Sequence, residues 1–161
     1  MEISVKVERL LMDPLHQSPV MILREIGGTR VLPIWIGHYE AGIIAALLEE
    51  IAPPRPMTVD LIASMLDELN CSVKKAVVCD LKESTYFARL TVCREDGTES
   101  EIDARPTDSV ALTLRSKAPL YVEEHLLKAF EPSESIQNLF AKPIKDWLNE
   151  LDPKDLGKYK M

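Results

Sequence analysis

The hydrophobic period of this chain changes at residue 38, and that change limits the possible folds more than any other feature of the sequence. In residues 2–12, apolar and polar side chains alternate, which is the period of a strand with one solvated face. From His38 onward, apolar residues return every three or four positions until the proline-rich segment 53–56. Because both periods occur in separate segments, the sequence predicts an α+β domain whose mainly antiparallel, curved sheet is packed with helices.

Turn and cap residues place the other elements. The pair Gly27-Gly28 predicts a hairpin between strands at 19–26 and 30–37, where Pro33 indicates an edge strand or a bulge. Further along the chain, cap residues and hydrophobic spacing predict a helix from an N-cap at Thr58 to about Asn70, followed by three strands at 72–81, 85–95 and 98–105. They then predict a helix at 109–117, capped by Thr107 or Asp108. A strand through Val122 and a short helix at 123–130 complete the predicted elements. We therefore predict one domain over residues 1–130, followed by a polar linker and helical tail over 131–161.

Length and composition indicate a single domain with a real core. The chain has 161 residues, of which 46% are hydrophobic. No stretch reaches the roughly 18 to 20 apolar residues that cross a bilayer, and the first residues lack the pattern of a signal peptide, so we expect a cytoplasmic protein. The three cysteines, Cys71, Cys79 and Cys93, are odd in number and at least eight residues apart, which predicts reduced and mostly buried thiols.

The charge balance argues against a large nucleic-acid footprint. There are 19 basic and 26 acidic residues, which give a net charge of −7. Proteins that bind nucleic acid mainly through phosphates usually carry a basic excess. A small local basic patch, or a metal ion that bridges carboxylates to a phosphate, is still compatible with this balance.

A strand-to-helix junction near residue 105 carries the best candidate site. Strand alternation puts Asp103 and Arg105 on one face, and a helix opens directly after them. Helix N-termini bind anions, and an arginine can add a bidentate contact to a phosphate. Asp103 and Asp108 could hold Mg²⁺ or Mn²⁺, with Asp60 or Glu40 as further oxygen ligands.

The same residues also have a purely structural interpretation. Thr107 and Asp108 could simply cap the helix, and Asp103 could pair with Arg105 or Arg115. The sequence leaves both interpretations open.

The segment 55–60 and Trp35 have similar alternatives. Arg55 could bind an anion and Asp60 a metal, although Asp60 in the first turn of a helix also suits the helix dipole. Trp35 lies between Ile34 and Ile36 and could stack on a base, but an aromatic residue in an apolar strand is predicted to be core.

The histidines and cysteines give weaker signals. His38, at the start of the first helix, is predicted to be a surface or capping residue rather than a base or ligand. His16 and His125 are predicted to have no partner nearby in the sequence and to support no metal site. The cysteines lack a neighbouring histidine or basic group, so a thiol mechanism is not expected.

Four blocks of sequence resemble the bifunctional nuclease domain family over roughly residues 1–130. They are LPIWIG at 32–37 followed by Glu40-Ala41, RPMTVDL at 55–61, Asp80-Leu81, and DARPTDS at 103–109. The resemblance implies a nuclease that acts on both DNA and RNA. The family commonly has histidine where this chain has Val59, so an activity here would rely on carboxylates or a metal-bound water.

Together, the resemblance and the junction predict metal-assisted hydrolysis of phosphodiester bonds. The predicted roles are metal ligands Asp103 and Asp108, phosphate-binding residues Arg105, Arg55 and Thr107, and further catalytic candidates Glu40 and Asp60. The alternatives are a binding module without chemistry, which holds a small anionic ligand or a protein partner, and a structural dimer. We also expect a homodimer or higher homo-oligomer that forms through the apolar hairpin or the tail.

Overall fold

The computed structural model describes residues 1–128, which form a seven-stranded sheet and four helices. The strands are β1 (Glu2–Asp13), β2 (Ser18–Glu25), β3 (Val31–Trp35), β4 (Cys71–Lys82), β5 (Thr85–Arg94), β6 (Glu99–Ala104) and β7 (Leu120–Glu123). The helices are α1 (His38–Leu48), α2 (Thr58–Glu68), α3 (Pro106–Ser116) and α4 (Glu124–Lys128). In the sheet order β3-β2-β1-β7-β4-β5-β6, every neighbouring pair is antiparallel except β7 and β4. The predicted α+β class is confirmed.

Local turn chemistry explains the hairpins. Gly27 between β2 and β3 has a φ of 79°, in the left-handed region that glycine tolerates. Glu83 and Ser84 between β4 and β5 have φ values of 47° and 62°, as a two-residue turn with both central residues left-handed requires. Pro33 lies in β3 at the edge of the sheet, where a missing N–H does least harm, as predicted.

Strand β2 is buried on both faces. Met21 and Leu23 belong to the main core, which also includes apolar residues of α1, α2 and α3. Val20 and Ile22 point to the other face and form a smaller cluster with Leu11 and Val31. All four β2 residues have 0% exposed surface, so the apolar hairpin that we expected to join subunits packs inside the protomer.

Helix α3 begins three residues earlier than the sequence predicted. Arg105 is its N-cap residue and Pro106 occupies the first helical position. Proline is favoured there because its φ is already helical and its absent N–H would have no partner. The prediction that Thr107 or Asp108 caps the helix is therefore wrong, since both lie inside the first turn.

The prediction of mostly buried cysteines is also wrong. All three thiols are free, and all three residues are partly exposed. Burial in β4 is confined to its middle residues, and Cys71 and Cys79 lie outside that segment, as Cys93 lies near the end of β5.

The remaining predictions concern membrane-spanning segments and the part of the chain after residue 128. No helix in residues 1–128 combines the length and the apolar character needed to cross a membrane. The predicted linker and helical tail at 131–161, and the end of the helix predicted to reach Phe130, lie outside the described residues.

Candidate functional site

Three charged side chains meet at the starts of α1 and α3. Arg105 donates from Nε to Oδ2 of Asp108 at 2.7 Å and from Nη2 to Oδ1 of the same carboxylate at 3.0 Å. Its Nη1 donates to Oε1 of Glu40 at 3.1 Å. The hydrogen bonds that Arg105 donates to Asp108 are the main cause of the raised pKa of Arg105, and the charge of this guanidinium is permanent. We call Glu40, Arg105 and Asp108 the Arg105 cluster.

The fold brings these residues together from opposite edges of the sheet. Helix α1 follows edge strand β3 and carries Glu40 in its first turn. Helix α3 follows the other edge strand, β6, and places Arg105 and Asp108 at its start. A Cβ atom at Gly37 would collide with Oε2 of Glu40, so glycine at the N-cap of α1 leaves room for this carboxylate.

The Arg105 cluster has a formal charge of −1 and is open to solvent. The side chain of Arg105 is 66% exposed. A guanidinium has five N–H groups, and Asp108 and Glu40 accept from three of them, so further donors are left for an anion. The cluster can thus bind a phosphate through the arginine and orient water through the carboxylates.

The carboxylates do not form a closed metal site. Among residues 1–128, no group of three or more histidine, cysteine, aspartate or glutamate side chains is placed to hold a metal ion. Two carboxylates still fit the way in which Mg²⁺ binds at phosphoryl-transfer sites, where water and substrate phosphates supply the other ligands.

Three other predicted site residues, Asp103, Thr107 and Arg55, make no side-chain hydrogen bond or ion pair with this cluster in the described structure. Asp103 is exposed on β6 opposite Arg89, and within residues 1–128 its side chain makes no hydrogen bond or ion pair. The alternative pairing of Asp103 with Arg105 or Arg115 is therefore not found. Thr107 is partly buried in the first turn of α3, and Arg55 is exposed in the loop between α1 and α2.

Asp60 has a structural arrangement of its own. Oδ2 accepts from the N–H of Met57 at 2.9 Å, and Oδ1 accepts from Nε of Arg115 at 2.6 Å. Burial would raise the pKa of Asp60, but the N–H of Met57 and the guanidinium of Arg115 together lower it. Met57 is the N-cap residue of α2, so the prediction of Thr58 as cap is wrong by one residue. Asp60 stabilises the start of α2 and joins it to α3.

Next to Asp60, a cleft of about 320 Å³ lies between α1, α2 and α3. It is lined mainly by apolar side chains, among them Ile43, Leu47 and Val59. Val59 is only 7% exposed and belongs to the core. A histidine at position 59 would thus lie on the buried face of α2, outside the Arg105 cluster.

A second polar cluster was missed by the sequence analysis. Oδ2 of Asp13 accepts from Nε1 of Trp35 at 2.9 Å and lies 2.6 Å from Nδ1 of His16. Oδ1 accepts from the backbone N–H groups of Leu15 at 2.9 Å and His16 at 3.3 Å. The bonds from Trp35 and then His16 lower the pKa of Asp13 well below its ordinary value, although burial opposes them. We call Asp13, His16 and Trp35 the Asp13 cluster.

The Asp13 cluster corrects two predictions. Trp35 is 43% exposed rather than core, because it is the last residue of an edge strand and its indole N–H is held at the surface. His16 does have a sequence neighbour as partner, since Asp13 lies three residues before it. The three-residue spacing of Asp13 and His16 is the sequence feature from which this pair could have been predicted. His38 is exposed, as predicted, and its Nε2 lies 3.0 Å from the carbonyl oxygen of Gln17.

The fold and the Arg105 cluster define an α+β domain with an anion-accessible junction between two helix starts. The model of the bifunctional nuclease domain family matches residues 21–135, more than half of the chain, and the chain belongs to this family. The prediction from the four sequence blocks is thus confirmed.

The similar proteins include both close and distant relatives. An uncharacterized protein of Mycobacterium tuberculosis is 35% identical over an alignment of 162 positions, which spans 94% of this chain and 96% of that protein. Bifunctional nuclease 1 of Oryza sativa subsp. indica is 24% identical over 132 residues, which cover 78% of this chain and 40% of that protein. Bifunctional nuclease 1 of Arabidopsis thaliana is 27% identical over 112 residues, 67% of this chain and 34% of that protein.

Proposed function

We propose that this protein hydrolyses phosphodiester bonds of DNA and RNA at the Arg105 cluster, assisted by Mg²⁺ or Mn²⁺. The proposal is supported by membership of the bifunctional nuclease domain family and by relatives that carry the name bifunctional nuclease. The observation that carries it is the seating of an exposed Arg105 between the carboxylates of Glu40 and Asp108.

Each residue of the cluster has a role in this proposal. The remaining N–H groups of Arg105 bind a non-bridging phosphate oxygen, and the first-turn amides of α3 add a positive partial charge. Glu40 and Asp108 orient the attacking water. Thr107 and Arg55 give further phosphate contacts, whereas Asp103 and Asp60 are proposed as carboxylates that assist the reaction from outside the cluster.

A divalent cation suits the charge of the cluster. Bound to the two carboxylates and to a substrate phosphate, it would change the formal charge from −1 to +1 and polarise the phosphoryl group. This charge change offsets the repulsion that an acidic surface exerts on a nucleic acid.

The experiment is cleavage of fluorescent single-stranded and double-stranded DNA and RNA with Mg²⁺, Mn²⁺ or EDTA. Highly purified wild type is compared with Glu40→Gln/Asp108→Asn and, separately, with Asp103→Asn. The proposal is supported if wild type shows metal-dependent cleavage and the double variant does not. If Asp103→Asn also loses cleavage, the site extends to β6. Equal activity in all preparations points to a contaminant and rejects the proposed site.

A binding module without chemistry is the second candidate. It is favoured by the fact that three N–H groups of Arg105 are already bound by the protein's own carboxylates, which leaves fewer for catalysis. Anisotropy that shows binding of an oligonucleotide or of inorganic phosphate, without turnover under any metal condition, would select this candidate.

We also propose a homodimer that forms through α2, in the reducing environment of the cytoplasm, which suits three free thiols. Leu61, Met65 and Leu69 are 55%, 54% and 68% exposed and recur at four-residue spacing. Two antiparallel copies of α2 would place Met65 against Met65 and each Leu61 against Leu69. Light scattering should give a dimer mass for wild type and a monomer mass for Met65→Glu; a dimer in both would move the interface elsewhere.

A further inference from the structure

We propose that the Asp13 cluster binds an unpaired nucleobase, which stacks on the indole ring of Trp35 and donates a hydrogen bond to His16. The choice of a nucleobase as ligand rests on the proposed nuclease function. The site itself requires neither cleavage nor contact with the Arg105 cluster, so binding can be measured separately from hydrolysis. The base can belong to a single strand of DNA or RNA or to a free nucleotide, and a titration with each distinguishes the two sources.

The site is built on a buried carboxylate. Asp13 is 4% exposed and is the only acidic side chain among the buried residues of the described structure. Burying a carboxylate is unfavourable unless its oxygens accept strong hydrogen bonds. Oδ1 accepts from two backbone N–H groups, and Oδ2 faces Nε1 of Trp35 and Nδ1 of His16. One carboxylate thus holds two aromatic rings, and both rings remain exposed to solvent.

Trp35 presents a fixed aromatic ring at the edge of the sheet. Its Nε1 donates to Oδ2 of Asp13 at 2.9 Å, while 43% of the residue stays exposed. Because the N–H edge faces the buried carboxylate, the exposed surface belongs mainly to the ring faces and the far edge. A ring that is already held loses little further entropy when a ligand stacks on it. Unpaired bases of any sequence stack on exposed aromatic rings, and bases inside a duplex are covered by their neighbours.

The imidazole of His16 is held by the same oxygen atom as the indole. Because the carboxylate of Asp13 only accepts, Nδ1 of His16 carries the proton of their 2.6 Å hydrogen bond. In the neutral ring, Nε2 is then the unprotonated nitrogen and can accept a hydrogen bond. The side chain is 73% exposed, so Nε2 is accessible to the N–H groups at the Watson–Crick edge of a base. In a duplex those groups are bound to the other strand, so the pair of rings favours an unpaired base.

The two segments that carry the exposed rings offer little to repel a phosphate backbone. Residues 14–19 and 35–39 contain no aspartate, glutamate, lysine or arginine, although 28% of the whole chain is charged. The two acidic residues that flank these segments are not available to repel a phosphate, since Asp13 is buried and Glu40 is paired with Arg105. A protein with a net charge of −7 thus has two neutral segments here, and neither places an exposed carboxylate beside the rings.

A second exposed aromatic residue follows Trp35 closely in sequence. Tyr39 is 65% exposed in the first turn of α1, and four residues further along the chain than Trp35 its Cα atom is at most about 14 Å away. Nε2 of His38 lies 3.0 Å from the carbonyl oxygen of Gln17, which holds this segment beside the turn that carries His16. About four stacked nucleotides, at roughly 3.4 Å each, span the distance between the two aromatic residues. A single strand should therefore bind more tightly than a mononucleotide.

The first experiment follows the fluorescence of Trp35 directly. The chain has two tryptophans, so Trp147→Phe leaves Trp35 as the one fluorescent indole. In EDTA, this variant is titrated with a short single-stranded oligonucleotide, with the same strand annealed to its complement, with an abasic strand of equal length and with a mononucleotide. The single strand should quench the fluorescence saturably, and the mononucleotide should do so with lower affinity. The duplex and the abasic strand, which offer no unpaired base, should not quench it.

The second experiment measures the Kd of a labelled single strand by fluorescence anisotropy. Trp35→Ala should raise Kd on the order of tenfold, and Trp35→Phe should raise it less because the ring is kept. His16→Ala removes one hydrogen bond and should raise Kd by about two- to tenfold. The control Ile102→Ala removes an apolar side chain of similar exposure, 47%, from the opposite edge strand β6 and should match wild type.

The outcomes separate the inference from the proposed function. If no single strand binds, if binding leaves the fluorescence of Trp35 unchanged, or if a folded Trp35→Ala binds as tightly as wild type, the inference is wrong, and cleavage by wild type would still support the proposed function. Equal quenching by the duplex or the abasic strand also rejects stacking. A fluorescence change that depends on protein concentration alone would show a second copy of this chain on Trp35 and would reject the inference.

The remaining outcomes support it. If the base stacks on Trp35 but wild type cleaves nothing under any metal condition, the inference stands and hydrolysis is rejected. If the mononucleotide binds as tightly as the single strand, the base comes from a free nucleotide. The fluorescence titration changes nothing at Trp35, so it decides the question even where Trp35→Ala does not fold.

Discussion

Replacing Arg105 by glutamine distinguishes a phosphate-binding arginine from a structural clamp between α1 and α3. Its side chain is 66% exposed, and its partners Asp108 and Glu40 are 48% and 22% exposed. Exposed ion pairs contribute about 0.2–1 kcal/mol each because water screens them and the side chains lose entropy. Since both pairs share one guanidinium, we expect Arg105→Gln to lower the free energy of unfolding by about 1 kcal/mol or less.

The expected loss of activity is much larger than the loss of stability. A decrease of about 1 kcal/mol corresponds to roughly 2–4 °C in Tm for a chain of this size. Removing one donor that stabilises charge in a transition state typically lowers kcat by about 10²–10³-fold. Arg105→Gln should therefore remain folded at assay temperature and lose about two orders of magnitude in kcat/KM on oligonucleotides.

Arg30 offers a matched control. Its Nε and Nη2 donate to the two oxygens of Glu25 at 2.7 Å each, and its Nη1 donates to Glu124 at 3.2 Å. This geometry repeats that of Arg105, but the side chain is less exposed, at 31%. Arg30→Gln should thus lower Tm at least as much as Arg105→Gln and leave kcat/KM unchanged.

The assays are thermal unfolding followed by circular dichroism and initial cleavage rates on the same preparations. The phosphate-binding role is refuted if Arg105→Gln loses more stability than Arg30→Gln while both keep wild-type kcat/KM. In that case the Arg105 cluster is a clamp that holds α1 against α3.

Three further variants test other parts of the structure. Gly37→Ala suits the local φ of −74° but displaces Glu40, so Tm should change little while kcat/KM falls; equal rates would show that Glu40 is dispensable. The folded-state pKa of Asp13 lies below its ordinary value of about 3.9. The ionised carboxylate therefore stabilises the fold above about pH 3.9, and this stabilisation is lost as the pH falls below that value. In urea unfolding, the free energy of unfolding should fall less with acidification for Asp13→Asn than for wild type. Val59→His buries an imidazole at a position 7% exposed and should lower the free energy of unfolding by about 1–3 kcal/mol without faster cleavage; faster cleavage at unchanged stability would contradict this.

The elements of this fold were predictable because their signals are local. Alternation defined β1, the three- and four-residue spacing defined α1, and glycine at a positive φ marked the turn at Gly27. The sheet order was not predictable in the same way. Strand β7 lies between β1 and β4 and pairs in parallel with β4, although about 40 residues separate the two strands in sequence. Such pairings depend on how distant segments share one core, and no local pattern records this.

Of the two contacts in the Arg105 cluster, only the one between Arg105 and Asp108 was predictable, because those residues are close in sequence. Arg105 and Asp108 are three residues apart at a helix start, a spacing at which side chains meet. Glu40 lies 65 residues away, and its contact exists because the helices after the two edge strands pack together. The sequence instead favoured Asp103 as the second carboxylate, since strand alternation puts it beside Arg105. The backbone turn into α3 then carries Arg105 towards Asp108 and Glu40, and Asp103 stays exposed on β6.

Trp35 shows why burial is harder to infer than secondary structure. Its neighbours Ile34 and Ile36 are both buried, and the apolar run predicts a core strand. However, side chains on a strand alternate between faces, so the exposure of Trp35 depends on what covers the face opposite to its neighbours. The exposure of Trp35 at the end of this edge strand is determined by Asp13, 22 residues away in sequence, because its carboxylate accepts the indole N–H and holds the ring at the surface. A large aromatic side chain held in this way exposes apolar surface that folding alone would have buried, and this cost is the physical reason to expect a ligand at the Asp13 cluster.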